Sequence, residues 1–577
     1  MRRKGKRSFS RVFIFAAMLV ATQLLGPGCG KPPASTPDVL FVRDGLAVQD
    51  ATLIDCKIMG PDGEAASFKI AQSTAFRTDG GDVVLPFAWQ PGREYCIKGT
   101  TRWGGFSMVL NAPLKAAPLT VAQIALESIK EYQGRGSNPD TYIRFSPDEQ
   151  FVAIGSFFGS LRVVDIHSGR TVLKKRLAEG MVKRICWRKS KRGWTLLAGE
   201  QSPDSFVYAI DLATEEILWK YRLADDIGTS RPDSGDARMD IYNLPGPYFM
   251  QSLSGGDLIV IGLHGRYRGQ NYVYDALVLR LNGETGEPRW KWPADRNLPY
   301  SVTWAGASAD GSVVALLTDS WLGVSNPHPR FKNGALHCVD GKKGKAAWEY
   351  VVPPLAPYYD RASGWQGVAV STNGRYVALG LNDGRGMLFD ARSGSLESRG
   401  KAPLWVRNVG TPVMNGNIPV ASSIAYAGLA GGSVFFGLPG TTIPPNTASS
   451  DRISRPAPHP RSHSLCAFDL SGTPQWEWQS EASVQGIFSS PDGRWVATGL
   501  TDDRGRASMD GFGMALFDTT LAERGIDPLV YRYYTEGSVF FMGDVSASGR
   551  YIAIAEYPYS PDEGRTMQGE YQVHVVH

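Results

Sequence analysis

Residues 490–518 constrain the fold more than any other stretch. They read Ser490-Pro491-Asp492-Gly493-Arg494-Trp495-Val496-Ala497, then a variable stretch, then Met514-Ala515-Leu516-Phe517-Asp518. A tight polar turn feeds one apolar strand, and a second apolar strand stops on an acid. Cognate pieces recur across the C-terminal three-quarters of the 577 residues. A unit of this size cannot bury both faces of its own strands, so it has to stack on copies of itself.

Eight places carry the turn that opens the second strand of a unit: Ser146-Pro147-Asp148-Glu149, Lys191-Arg192-Gly193, Ser254-Gly255-Gly256-Asp257, Ser308-Ala309-Asp310-Gly311, Ser371-Thr372-Asn373-Gly374, Ala430-Gly431-Gly432, Ser490-Pro491-Asp492-Gly493 and Ser546-Ala547-Ser548-Gly549. Asp-Gly and Asn-Gly turns twist in the sense that flanking strands require. Seven third strands then end on an acid or amide: Asp165, Asp211, Asn282, Asp340, Asp390, Asp469 and Asp518. Their spacings of 46, 71, 58, 50, 79 and 49 residues fit a four-stranded propeller blade, the longer ones with inserted loops. Trp219, Trp290 and Trp348 follow eight residues after such a position, and Trp476 seven after Asp469. These acids and indoles read as turn caps and packing residues. The expected fold class is all-β: an eight-bladed β-propeller, with seven blades as the alternative, preceded by a small β-sandwich-like domain. The propeller needs an outer strand for its last unit, and 126–132 is the candidate, or else a helix.

Leu281-Asn282-Gly283-Glu284-Thr285-Gly286-Glu287-Pro288-Arg289-Trp290 is similar to the repeat of pyrroloquinoline-quinone-type propellers. Ile143-Arg144-Phe145-Ser146-Pro147-Asp148 through Val164-Asp165 resembles a WD-repeat blade. The resemblance covers roughly 130–577 and implies architecture rather than activity. Quinone-dependent dehydrogenases of this shape carry an adjacent Cys-Cys pair, which the chain lacks. It also lacks Cys-x-x-Cys-His, Gly-x-Ser-x-Gly and His-Glu-x-x-His. No catalytic residues, cofactor or metal are therefore expected. His459 and His463, four apart around Pro460, read as a loop. Asp502, Asp503 and Asp510, and separately Asn382-Asp383, read as solvated turns rather than cation loops.

The N-terminus reads as an address. Residues 1–28 hold six basic residues and no acid, with an apolar run at 12–25 that is too short to span a bilayer comfortably. Without that segment, 55 basic residues face 56 acidic ones, which gives no electrostatic reason to expect nucleic acid as a partner. Leu25-Gly26-Pro27-Gly28-Cys29-Gly30 resembles the lipobox of bacterial lipoproteins. That resemblance implies acylation of Cys29, and Gly30 after it implies sorting to the outer membrane, facing the periplasm or the surface. The expected organisation is a signal peptide at 1–28, a lipidated tether at 29–38, the small β domain at 39–116 and the propeller at 117–577.

Cys56 and Cys96 are the only cysteines of the small domain. Export permits a disulfide between them, which would close a loop worth about 4 kcal/mol. Cys186, Cys338 and Cys466 read as core residues. Two long insertions stand out, 224–250 with Tyr242, Tyr248 and Phe249, and 441–464 with Arg461. Aromatics and Arg on loops are common interface anchors. The expected function is a binding or assembly module for envelope proteins. The resemblance to a propeller lipoprotein of outer-membrane protein assembly implies the same. An enzyme using the central channel on a sugar or small oxidisable substrate is the alternative.

Overall fold

A computed structural model describes residues 37–577 apart from 44, 51, 74–75, 77–82, 114–115, 127–140, 178–179, 231–242, 269–270, 320–333, 393–401, 448–456, 502–510 and 560–566. Asp38–His577 forms one compact unit built almost wholly of strands.

Two sheets make up its N-terminal part. Asp38–Val42, Gly45–Gln49 and Val83–Leu85 form one. Gly63–Lys69, Leu53–Gly60, Glu94–Thr101 and Gly104–Asn111 form the other, in that spatial order. Both contribute to one cluster that includes Phe41, Leu46, Val48, Ile58, Val83, Tyr95 and Ile97, so two sheets share one core as in a sandwich. The expected Cys56–Cys96 disulfide is not formed, because strand alternation puts the two thiols on opposite faces. Cys56 pairs in register with Gly99, and Cys96 lies an odd number of residues from Gly99. Cys56 is buried in the core, where burial, then Asp55, pushes its thiol up to about 12. Cys96 faces outward toward the Ser107 hydroxyl at 3.8 Å.

The remaining chain is a β-propeller. Among the described residues it contains eight four-stranded antiparallel sheets. Their first strands are Tyr142–Phe145, Met181–Ser190, Gly246–Ser252, Ser301–Ala307, Val368–Val370, Tyr426–Ala430, Ser483–Ser489 and Ser538–Val545. Sheets are counted below in that order. Each first strand touches the next, and that of the eighth sheet touches that of the first, so they close a cycle.

The turns explain why the units form. In Ser146, Ser308, Ser371, Ser490 and Ser546 the hydroxyl accepts from the backbone N–H five residues on, at 2.9, 3.1, 2.9, 3.0 and 3.0 Å. The first four donate to the acid or amide two residues on. The acids that end the third strands accept from the following N–H groups, as Asp165 does from His167 and Ser168 at 3.0 and 2.9 Å. These are local Asx and ST turns, independent of the rest of the fold.

Trp residues join neighbouring sheets. Nε1 of Trp219, Trp290, Trp348 and Trp405 donates to the carbonyls of Gly283, Gly341, Ala391 and Leu470 at 3.1, 3.0, 2.9 and 3.1 Å. Each carbonyl belongs to the residue just after the capping Asn282, Asp340, Asp390 or Asp469. The indole covers the same turn: a Cβ on Gly286 would lie 2.6 Å from Trp219, and φ there is +76°. Trp405 had no regular spacing to betray it. Trp476 packs on Phe517 of the next sheet, centroids 5.3 Å apart.

The eighth sheet obtains its outer strand from Thr120–Ala125, which pairs with Gln572–Val576. The expected strand at 126–132 is thus displaced toward the N-terminus. Ile124 enters the core with Val573 and Val575, and Leu126, just past the strand, packs against the edge of that core and donates its N–H to the Tyr571 carbonyl. A buried polar chain clasps the junction. Glu556 accepts from Gly537 N–H at 2.6 Å, Gln572 Nε2 at 2.9 Å and His574 Nε2 at 2.5 Å. His574 Nδ1 meets Tyr533 OH at 3.0 Å, and that hydroxyl lies 2.7 Å from Thr120 Oγ1.

Candidate functional site

In such a ring the first-to-second and third-to-fourth connections fall at one end. The second-to-third connections, and those from each outer strand to the next first strand, fall at the other. The eight repeat turns occupy the first end, which we call the turn end. The described residues of the connections 223–245, 352–367, 409–425 and 439–463 all occupy the other. The small N-terminal domain joins at the turn end. Leu119 and His577 exchange backbone bonds there at 3.3 and 2.9 Å, and the Arg43 guanidinium lies 4.7 Å over Trp495, which opens the second strand of the seventh sheet.

Three long connections are stitched together beside the fifth and sixth sheets. An accessory sheet of Val413–Asn415, Ile418–Ser422 and Thr441–Thr442 forms their floor. His459 N–H donates to Thr441 Oγ1 at 2.8 Å, and Asn415 Nδ2 to the Ala457 carbonyl at 3.0 Å. Asn446 Nδ2 reaches the Pro357 carbonyl at 3.0 Å and Asp360 Oδ1 at 2.9 Å. Arg461 reaches the Val409 carbonyl at 3.3 Å and pairs with Glu477 at 3.3 Å. The described part of 441–464 is therefore fastened down. Val413 and Met414 (57% exposed) stand out as exposed apolar side chains of this accessory sheet. Trp365, 45% exposed, stands in the 352–367 connection. Clustered apolar exposure of this kind marks interaction surfaces more often than isolated residues do.

The middle of the ring is filled from its first strands. Arg184 of the second sheet has its guanidinium 5.0 Å from the Tyr142 ring of the first and 5.3 Å from the Trp304 ring of the fourth. Lys183 lies 4.4 Å over Tyr248 of the third sheet. Trp365, leading into the fifth sheet, meets Phe541 of the eighth, centroids 6.3 Å apart. The Arg184–Trp304 and Trp365–Phe541 contacts join sheets that are not neighbours, so they pass through the middle of the ring. Lys183 and Arg184 are buried, a placement that the aromatic faces and the Tyr248 carbonyl, 2.8 Å from Arg184 Nε, make tolerable. This basic, aromatic wall escaped sequence reading. Its only signal was the Lys183-Arg184 pair flanked by apolar Met181-Val182 and Ile185-Cys186-Trp187.

Sequence-based candidates fare unevenly. Tyr242 and Cys29 lie outside the described residues, as do Asp502, Asp503 and Asp510. Tyr248 and Phe249 are not loop residues: they lie on the first strand of the third sheet, at a bulge between Pro247 and Phe249, half-buried against its core. His459 uses both ring nitrogens on backbone, Nδ1 accepting from Arg461 N–H at 3.1 Å and Nε2 facing the Thr411 carbonyl at 3.2 Å. Burial lowers its pKa. Asp383 is no solvated turn residue. It is fully buried and takes both Nε and a terminal nitrogen of Arg385, at 2.9 and 2.6 Å. Among the described residues no group of three or more His, Cys, Asp or Glu is placed to hold a metal, and no helix is long and apolar enough to cross a membrane.

Fold and repeats together define a propeller protein built from quinone-type repeats. Residues 142–430, half of the chain, match the family described as outer membrane protein assembly factor BamB, and the chain belongs to that family. No curated protein matches it by sequence. Among solved structures it is similar to BamB from Moraxella catarrhalis, with 13% identity over 80% of this chain and 99% of that one, at a TM-score of 0.42. A computationally designed protein, Ika8, gives 12% identity over 79% and 99%, at 0.43. The propeller domain of Myceliophteria thermophila Cps50 (Swd1) gives 11% over 80% and 99%, at 0.39.

Proposed function

We propose that this protein is a lipid-anchored, eight-bladed propeller of the cell envelope that binds partner proteins, in the manner of an assembly factor. The convergence of the long connections on one end of the ring carries this reading, because three of them are fastened into one surface bearing Val413, Met414 and Trp365. A rigid scaffold presenting loops on one face is a common arrangement for recognition. Apolar and aromatic side chains at the centre of such a surface, with Arg461 nearby, match the composition of interface cores. The anchor rests on Cys29 following the apolar run at 12–25, and outer-membrane sorting on Gly30. The family match supports an envelope role. The channel favours no enzyme reading: Lys183 and Arg184 lie against the rings of Tyr142, Tyr248 and Trp304, and Arg184 donates to the Tyr248 carbonyl.

The test is capture from crosslinked envelopes with the native protein, Met414→Glu, Trp365→Ala and a deletion of 448–456. Native protein should retain a defined set of envelope proteins, which Met414→Glu and the deletion reduce while unfolding midpoints hold. Equal capture by all four would refute this surface. Stoichiometric quinone or metal uptake with substrate oxidation would refute the non-enzyme reading.

A further inference from the structure

The small N-terminal domain has two dissimilar ends. Near Arg43 it meets the turn end of the ring, through the Arg43–Trp495 contact and the Ala117 N–H to Phe41 carbonyl bond of 2.8 Å. Its far end gathers segments distant in sequence. Asp38 pairs in register with Gln49. Thr52, three residues on, accepts at its carbonyl from Arg102 N–H at 3.3 Å. Arg102 and Trp103 form the tip of the hairpin between Glu94–Thr101 and Gly104–Asn111. The start of the first strand, where residues 1–37 join covalently, and the Trp103 tip therefore share one end.

That end has the chemistry of a membrane interface. Trp103 is 60% exposed, with the Arg102 guanidinium 4.5 Å over its ring. Ile54, 38% exposed, lies at the bulge opposite Thr100 and Thr101. The basic Lys69 and Arg102 match the acidic Asp50 and Asp55 in number, and Asp50 accepts from Thr52 N–H at 2.7 Å. An indole at a polar tip settles at the headgroup level of a bilayer, and a basic neighbour can reach the phosphates. Distance agrees: from Cys29 to Asp38 the backbone can extend at most about 30 Å.

We propose that the Arg102–Trp103 tip, with Ile54, docks on the phospholipid interface. The small domain then acts as a spacer that turns the long-connection end of the ring away from the bilayer. This rests on the acylation of Cys29 proposed above, so the test supplies the anchor artificially. The chain from residue 30, carrying an N-terminal hexahistidine, is held on phosphatidylcholine vesicles doped with nickel-chelating lipid, with and without brominated acyl chains. Bromine should quench part of the tryptophan emission of the native sequence, and Trp103→Ala should lose that quenching while staying bound through the tag. Amide exchange across 101–105 should slow on the vesicles. Quenching that is equal in both proteins, or absent from both, overturns the proposal even if acylation of Cys29 is found. Acylation is read separately, from the mass of the native N-terminus, and its absence would leave a positive vesicle result standing as a property of the tip.

Discussion

Nε1 of Trp348 lies 2.9 Å from the Ala391 carbonyl, across the boundary between the fourth and fifth sheets. The same indole stacks on Phe389, centroids 5.6 Å apart, so one side chain joins two units by packing and by a hydrogen bond. Trp348→Phe should keep the stack and orphan the carbonyl, costing about 1–2 kcal/mol, whereas Trp348→Ala should cost about 3–5 kcal/mol. Urea midpoints compared at a common slope check both. A loss from Trp348→Phe equal to that from Trp348→Ala would show that packing contributes nothing.

Ring closure should depend on acid. Burial works against ionised Glu556, but the hydrogen bonds from His574, Gln572 and the Gly537 N–H outweigh it and hold the carboxyl below its ordinary value. Because the folded value is depressed, the stabilisation is complete above the ordinary value of 4.5 and is lost as pH falls through the folded one. Melting temperature should drop over that window in the native protein, and less steeply in Glu556→Gln. Identical slopes would remove Glu556 from the clasp.

The two thiols of the small domain should behave differently. A maleimide should label Cys96 in the native state and Cys56 only after unfolding. Intact mass should show both thiols reduced. Cys96→Ser should change stability by less than about 0.5 kcal/mol, and Cys56→Ser by about 1–3 kcal/mol as a buried hydroxyl replaces the thiol. Native protein lacking two hydrogens at these residues would contradict the placement of the two cysteines on opposite faces.

Mature protein should partition with membranes, and Cys29→Ala should release it. Fractionation and the mass of the N-terminal peptide read this directly. Unchanged partitioning of the variant, with no acyl mass on the native N-terminus, would remove the anchor.

What the sequence determined by itself is what neighbours in the chain decide. Ser490 and Trp495, or Asp165 and Ser168, interact over three to five residues, so their turns are legible wherever the residue types recur. The strands between such turns, the propeller repeat and the packing role of Trp219, Trp290 and Trp348 follow from that periodicity. The tertiary structure decided everything that depends on long-range register. Cys56 and Cys96 are kept apart by strand parity, which sequence spacing across an intervening hairpin does not reveal. The closing strand is Thr120–Ala125 because Ile124 must reach a core made more than 400 residues later. Tyr248 became a wall residue because pairing with Leu258–Arg268 drew its segment into the third sheet. The gathering of Trp365, Met414 and Arg461 on one end follows from the parity of an up-and-down sheet, which sends every second connection to the same side. The surface proposed for partners is therefore a product of topology, assembled from residues that carry no shared local pattern.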